Sequence, residues 1–277
     1  MVSKKEVAYT VFQGRAGDHN NLAISGAKSI GDAFARRVGA APVIIGTPAP
    51  AMKVGWREEL DAAMPDLQAV QARFEEVFSA DRVSVAAISR CVVSLATLPV
   101  MAKYHPDVCV VWFDAHGDLN TPEASTTGFL GGLALAAPLG LWESGLGSGL
   151  NLDQIVLVGQ RDLDPFESAL IKQHSIPHIH PGPDLAQRLR EAIAGRAVYV
   201  HLDCDVLEPG IVPTDYAHAG GLTLADLSAC CETIAAHSFT GIEVAEFQNA
   251  WEPDGAPVSP EPLIEALMPL IRAFGCP

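Results

Sequence analysis

The sequence predicts an α/β protein whose mainly parallel sheet is covered by helices on both faces. Short apolar runs rich in β-branched residues alternate with helical stretches along the whole chain, which is typical of this architecture. The chain has 277 residues and is 49% hydrophobic, which suits one large core. We therefore expect a single domain over residues 1–277, with neither an internal repeat nor a linker.

Eight runs have the composition of strands, and helical stretches lie between them. The strand candidates are residues 7–12, 43–46, 83–88, 108–113, 155–159, 177–180, 197–202 and 241–245. The helix candidates include residues 26–38, 56–63, 67–79, 92–104, 165–174, 184–194, 223–236 and 261–274. Thr223 followed by Asp226 is typical of a helix start, because the hydroxyl caps the first turn and the acid favours the helix dipole.

Charge and composition exclude several classes of partner. The formal net charge of −15 disfavours nucleic acid and anionic membrane surfaces. No apolar run is long enough to span a membrane, and residues 1–6 lead into a strand rather than into a signal region, so we expect a cytoplasmic protein. The six cysteines are scattered without a Cys-x-x-Cys pair, and we expect most of them to be free and buried.

The chemistry is concentrated where the apolar run 108–113 ends. Asp114, His116 and Asp118 follow this run directly, which places three hard ligands at one end of a buried strand. Clustering these side chains in an apolar setting is costly unless a cation offsets their charge. The alternative is a solvated acidic loop without a ligand.

A second strand end supplies the partners that favour a metal site. Asp203 and Asp205 follow the apolar run 197–202, and the alternation of a strand points them in the same direction. Together with the first group they give more ligands than a tetrahedral zinc site needs, and they suit two hard ions such as Mn²⁺. Two ions roughly 3.5–4 Å apart can activate a shared water, so the predicted reaction class is metal-assisted hydrolysis.

Four segments resemble the arginase or ureohydrolase family. They are WFDAHGDLNTP at 112–122, GQRDLDP at 159–165, HLDCDVLEP at 201–209 and GGLT at 220–223, and their order and spacing match that family over nearly the whole chain. The resemblance implies a three-layer α/β/α fold with an eight-stranded sheet. It also implies two Mn²⁺ ions per chain and a guanidino amino acid as the small-molecule substrate.

The resemblance assigns the metal ligands. Asp114 and Asp203 would bridge the two ions, and His116 and Asp205 would complete the shell of one of them. Asp118 would complete the shell of the other ion and hydrogen-bond the hydroxide that the ions share.

The resemblance also assigns the substrate contacts. Glu246 would face the guanidinium group, and Asp164 would bind the α-amino group, with Asp162 in a structural role beside it. The α-carboxylate would be bound by Asn120, Ser125 and Thr127, in a loop over residues 120–132.

Cys91 is one departure from the family pattern. The family has a histidine ligand in a Gly-Gly-Asp-His-Ser motif after the third strand, and Cys91 stands at the position of that histidine. We expect it to bind metal as a thiolate, although sulfur is an unusual ligand for Mn²⁺. The alternative is a small buried filler.

Gly131 is the second departure, because it replaces the histidine that shuttles protons in the family motif Ser-Gly-Asn-x-His-Gly. Loss of such a group typically costs about 10²–10⁴-fold in rate. A hydroxyguanidine needs less help, because its N–OH group lowers the basicity of the guanidine and leaves its carbon easier to attack. Cys91 together with Gly131 resembles family members that hydrolyse Nω-hydroxy-L-arginine to L-ornithine and hydroxyurea in D-cycloserine antibiotic biosynthesis.

Some alternatives stay open at this stage. The chain could be an arginase or agmatinase-type guanidino hydrolase, or a catalytically impaired member that binds a ligand. His218 could replace the missing proton carrier, although a surface loop histidine is the simpler interpretation, and His19 is expected to be a loop or capping residue. Because the sequence lacks the long tail that links subunits in animal-type arginase trimers, we expect a monomer.

Overall fold

A computed structural model, which describes residues 5–273, contains one sheet of eight parallel strands. It confirms the predicted fold class and each of the eight predicted strands, with the whole sheet parallel. The strands are β1 (Val7–Phe12), β2 (Val43–Ile45), β3 (Val83–Ile88), β4 (Cys109–Phe113), β5 (Ile155–Val158), β6 (His178–Ile179), β7 (Val198–Asp203) and β8 (Phe239–Ala245).

The order of the strands brings distant parts of the chain together. Across the sheet it is β2-β1-β3-β8-β7-β4-β5-β6, so β7 and β8 lie between β3 and β4. The residues that follow β3, β8, β7 and β4 therefore meet at one edge, since parallel strands share the direction of their carboxyl ends. In open α/β sheets this edge is where ligands bind.

Helices cover both faces of the sheet. They are α1 (Leu22–Val38), α2 (Trp56–Ser79), α3 (Ser94–Tyr104), α4 (Pro165–His174), α5 (Leu185–Ile193), α6 (Leu224–Ala235) and α7 (Glu261–Ala273). One apolar cluster joins α2 and α3 to one face, and a second joins α1, α5, α6 and α7 to the other face. The molecule thus has the three layers that the resemblance implies.

The helix boundaries correct the sequence prediction in two places. Residues 56–63 and 67–79 belong to one continuous helix, α2, in which Pro65 is an interior residue. Leu60, Leu67 and Phe74 are all buried in the same cluster, so continuous packing outweighs the backbone hydrogen bond that the proline removes. Helix α1 begins at Leu22 rather than at residue 26.

The other boundaries differ by a few residues. The predicted helix 92–104 begins as a short 3₁₀ turn, Cys91–Val93, before α3. Thr223 caps α6 as predicted, with its hydroxyl accepting the N–H of Asp226. The predicted end of the last helix, Phe274, lies outside the described residues. Within residues 5–273, each helix is too short or too polar to cross a membrane.

Candidate metal and substrate site

A cavity of about 180 Å³ lies at the carboxyl ends of the central strands. Its lining contains the predicted site residues Cys91, His116, Asp118, Asn120, Ser125, Thr127, Asp164, Asp203, Asp205 and Glu246. The remaining one, Asp114, is fully buried and contacts His116 at 3.3 Å. Side chains from five strand ends, far apart in the sequence, therefore converge on one site.

Aspartates and one histidine form the deepest part of the cavity. His116 Nδ1 lies 3.0 Å from Asp205 Oδ2, and the two residues belong to the loops after β4 and β7. Backbone amides hold the carboxylates in place: Asp114 Oδ1 accepts the N–H of His116 and Asp203 Oδ1 accepts the N–H of Asp205. One oxygen of each aspartate is thus fixed by its own turn, as expected for ligands positioned before a metal arrives.

Asp118 and Glu246 both have left-handed backbone conformations, with φ of 51° and 65°. Such a conformation costs about 1 kcal/mol or more in a residue with a side chain, so the surrounding structure must impose it. The carbonyl of Asp118 accepts the N–H groups of Leu135 and Ala136, and Glu167 accepts the N–H of Leu119. These bonds fix the turn that directs Asp118 into the cavity.

The buried carboxylates fit a metal ion by their electrostatics. Burial, and then repulsion from neighbouring aspartates, raises the pKa of Asp114, Asp118 and Asp203. Burial would also raise the pKa of Asp205, but the hydrogen bond and charge of His116 more than offset it, and this pKa is lowered. So many acids do not all ionise together in an apolar setting unless a cation offsets their charge.

Among the described residues, four groups of three side chains have candidate ligand atoms close enough to hold an ion. Two of them include residues outside the expected ligands, namely Cys91 with Asp114 and His201, and His116 with Asp162 and His218. The other two suit the expected site better. Asp114, His116 and Asp205 form one set, in which the candidate ligand atoms lie within 4.8 Å of one another. The other set contains Cys91, Asp203 and Glu246 at the same spacing. This grouping differs from the ligand sets that the resemblance implies, because Glu246 takes part in the second set and Asp118 belongs to neither. The assignment of ligands to two ions therefore stays a prediction.

Cys91 lies inside this acidic cluster rather than among apolar side chains. Its Sγ is 3.1 Å from Asp203 Oδ2 and 3.2 Å from His201 Nε2, and the residue is buried. Burial, followed by the charges of Asp203 and other nearby acids, raises the pKa of the thiol. A filler role would not require polar partners on two sides, so the position suits a ligand that loses its proton when a cation binds.

Sequence reasoning missed a buried polar network beneath Cys91. His201 stacks on Trp112 with the ring centroids 3.5 Å apart, and its Nδ1 lies 2.8 Å from Glu243 Oε1. The hydroxyls of Ser94 and Tyr199 donate to the same glutamate. The alternation within β7 could have revealed His201, since it lies two residues before Asp203 and points to the same face.

Sequence reasoning also missed Arg90, whose side chain is 2% exposed. Its guanidinium donates to Asp18 at 2.8 Å, to Asp215 at 3.0 Å and to Glu246 at 2.7 Å. Glu246 also accepts the N–H of Cys91, so both of its oxygens have partners. The signal available in the sequence was an arginine next to Cys91, at a position where the family motif has an aspartate.

The loop after Asp118 forms the outer wall of the cavity. Asn120 donates through Nδ2 to Asp164 at 2.8 Å, which places two predicted substrate contacts side by side. The amide oxygen of Asn120 is buried without a hydrogen-bond partner among the described residues, so an acceptor is available for a ligand. Ser125 and Thr127 accept backbone N–H groups within this loop and keep their hydroxyl protons for donation.

Phe129 occupies the space beside Gly131. A Cβ atom at position 131 would lie 2.5 Å from the Phe129 ring, so a larger residue there requires the ring to move. His19 stacks on this ring, with the ring centroids 4.3 Å apart. His218, the alternative proton carrier, lies 3.4 Å from Asp162 and packs edge-on against His116.

Known proteins resemble this chain in sequence. The sequence model of the Arginase family matches residues 52–257. The N(omega)-hydroxy-L-arginine amidinohydrolase of Streptomyces lavendulae is 39% identical over 95% of this chain and 96% of its own length. An arginase of Bacillus caldovelox is 31% identical over 56% of this chain and 57% of its own.

Solved structures show the same fold. The arginase of Entamoeba histolytica, in complex with L-ornithine, superimposes with a TM-score of 0.83 at 19% identity, covering 96% of this chain and 98% of that chain. The arginase of Bacillus subtilis gives a TM-score of 0.81 at 19% identity with the same coverage. The shared architecture extends over nearly the whole of each chain.

Proposed function

Because the chain belongs to the arginase family and is a hydrolase of amidine C–N bonds, we propose that its substrate is Nω-hydroxy-L-arginine, which it converts to L-ornithine and hydroxyurea. The observation that carries the proposal is the Phe129 ring beside Gly131. No side chain at position 131 can move a proton, and a Cβ atom there would lie 2.5 Å from the ring, so a larger residue requires the ring to move. The relative with 39% identity bears the same activity in its name.

The proposed metal centre consists of two Mn²⁺ ions held by Cys91, Asp114, His116, Asp118, Asp203 and Asp205. Ions bound in this way would make water acidic enough to supply a nucleophile near neutral pH. Asp118, fixed by its strained turn, would orient that water towards the substrate carbon. The carboxylate-rich set suits Mn²⁺, and Cys91 is the one soft donor in it.

The outer wall would hold the amino-acid end of the substrate. Asp164 would accept from the α-ammonium group, while the hydroxyls of Ser125 and Thr127 would donate to the α-carboxylate. Asn120, which the resemblance assigns to the α-carboxylate, has its N–H on Asp164 and only its oxygen unpaired, so we assign it to the α-ammonium group instead. Glu246 would bind the hydroxyguanidine at the other end of the cavity. These contacts favour an amino acid over a simple amine such as agmatine.

Arg90 gives a reason why a weakly basic guanidine suits this site. Its guanidinium lies 2.7 Å from Glu246 and offsets part of the negative charge that would otherwise attract a cation. A hydroxyguanidine is less basic than arginine, so more of it is neutral. A neutral substrate depends less than a cation on the negative charge of Glu246, so it loses less binding when Arg90 offsets that charge. We also propose that the protein acts as a cytoplasmic monomer in antibiotic biosynthesis.

The test is incubation of the Mn²⁺-loaded protein with Nω-hydroxy-L-arginine in ¹⁸O-labelled water, followed by mass spectrometry. We expect L-ornithine without label and hydroxyurea with one ¹⁸O atom, because the C–N bond to ornithine breaks and water adds to the carbon. An Asp118→Asn variant that retains its metal serves as the control and should release little ornithine. No ornithine from the unmodified protein, with two ions bound, would overturn the proposal.

A further inference from the structure

The site lacks the proton carrier of its family, yet the reaction still needs one. When the C–N bond breaks, the departing amine nitrogen keeps the electron pair and must receive a proton. The sequence predicts either that nothing replaces the missing proton carrier or that His218 does. The structure offers another histidine, His19, at a place that the sequence did not distinguish from an ordinary loop.

His19 is connected to the cavity through an aromatic cluster. Its ring stacks on Phe129 at 4.3 Å, and Phe129 in turn covers Gly131. The imidazole is therefore separated from position 131 by the Phe129 ring alone. Its Nδ1 lies 3.4 Å from the hydroxyl of Tyr216, a residue that lines the cavity.

His19 is also connected to solvent and to a carboxylate. Its side chain is 41% exposed, so the ring can exchange protons with bulk water. Asp215 Oδ2 lies 3.4 Å from the same Nδ1, an arrangement that favours an Nδ1–H pointing at Tyr216 and Asp215. Lys53 and Asp254 are the other charged residues along the shallow cleft beside His19.

We propose that His19 and Tyr216 carry protons between solvent and the cavity in place of the missing shuttle histidine. Tyr216 donates its hydroxyl proton to the departing amine nitrogen and receives the Nδ1 proton of His19 in the same step, while Nε2 of His19 takes a proton from solvent. Neither a phenolate nor an imidazolate forms, and the proton that reaches the amine comes in net terms from solvent. The assignment of the leaving amine rests on the proposed function.

His218 fits this role less well. Its Nε2 lies 3.4 Å from Asp162. The rings of His218 and Tyr216 both pack edge-on against His116, so that contact does not distinguish the two residues. His218 is absent from the residues that line the cavity. A proton on His218 would have to pass Asp162 to reach the substrate, whereas Tyr216 contacts the cavity directly.

The experiment compares His19→Ala with His218→Ala, using kcat for ornithine release. We expect kcat to fall at least 10-fold in His19→Ala, with KM and metal content unchanged, and to stay within 2-fold in His218→Ala. Added imidazole should restore activity to His19→Ala in proportion to its concentration and leave the unmodified protein unaffected. This rescue separates proton transfer from a structural role of the ring.

A Tyr216→Phe variant tests the inner half of the relay and keeps the aromatic cluster intact. It should lose as much activity as His19→Ala, should not respond to imidazole, and should add no further loss when the two changes are combined. Unchanged kcat in His19→Ala, a loss without imidazole rescue, or rescue confined to His218→Ala would overturn the relay. The proposed function fails separately, if the unmodified protein releases no ornithine from hydroxyarginine.

Discussion

Trp112 offers the sharpest test of how the protein supports its metal ligands. Its indole N–H donates to Asp114 Oδ2 at 2.9 Å, and its ring stacks on His201, with both residues fully buried. A Trp112→Phe variant keeps an aromatic ring and removes this donor. Partners of this kind typically contribute 10–100-fold to metal affinity, so we expect Mn²⁺ binding to weaken by about 1.4–2.8 kcal/mol.

Trp142→Phe provides a matched control. Trp142 is also buried, and its indole N–H donates to the carbonyl of Leu133 at 3.0 Å rather than to a metal ligand. Both variants should lose folding stability, because each breaks a buried hydrogen bond worth about 1 kcal/mol or more. Mn²⁺ titration of the metal-free proteins by calorimetry then separates the two. Equal affinity losses in both variants, or unchanged affinity in Trp112→Phe, would refute the reasoning.

Three further predictions concern single groups in the site. Gly131→His alone should add no arginine hydrolysis, because the Phe129 ring contacts the position of the new side chain. Phe129→Asn combined with Gly131→His should raise kcat on arginine at least 10-fold. Equal rates for the single and the double variant would contradict this. Cys91→Ser should reduce bound Mn²⁺ in metal analysis, and full metal content with full activity would exclude Cys91 as a ligand. In the metal-free protein, burial raises the pKa of Glu167 from 4.5 to about 7, so the folded state holds this proton more tightly than the unfolded state. The free energy of unfolding therefore falls as the pH rises from about 4.5 to 7, by at most about 3 kcal/mol. Urea unfolding at both ends of that range should show a smaller fall in Glu167→Gln, and an equal fall in the two proteins would contradict the assignment.

The sequence was sufficient to predict the sheet and the acids at its edge, because both depend on local pattern. An apolar run that stops at Asp114 or Asp203 marks a strand end, and parallel strands bring such ends together. Helix α2 could not be predicted as one element, because the packing that carries it through Pro65 is tertiary. The boundaries of a helix depend on such contacts as much as on propensity.

Other parts of the site depend on contacts between distant segments. The sequence shows that position 131 is a glycine, but only the fold shows that Phe129 fills the adjacent space and that His19 stacks on it. Arg90 pairs with Asp18 and Glu246, which lie 72 and 156 residues away in the sequence. No local pattern predicts pairs of that kind.

The central claim is that this site favours a hydroxyguanidine over a guanidine. The direct measurement is kcat/KM for ornithine release from Nω-hydroxy-L-arginine and from L-arginine, with the same Mn²⁺-loaded protein. We predict that hydroxyarginine is preferred at least 100-fold, because arginine depends on the family's shuttle histidine at position 131, and loss of such a group costs at least about 100-fold. Equal values for the two substrates, or a preference for arginine, would contradict it.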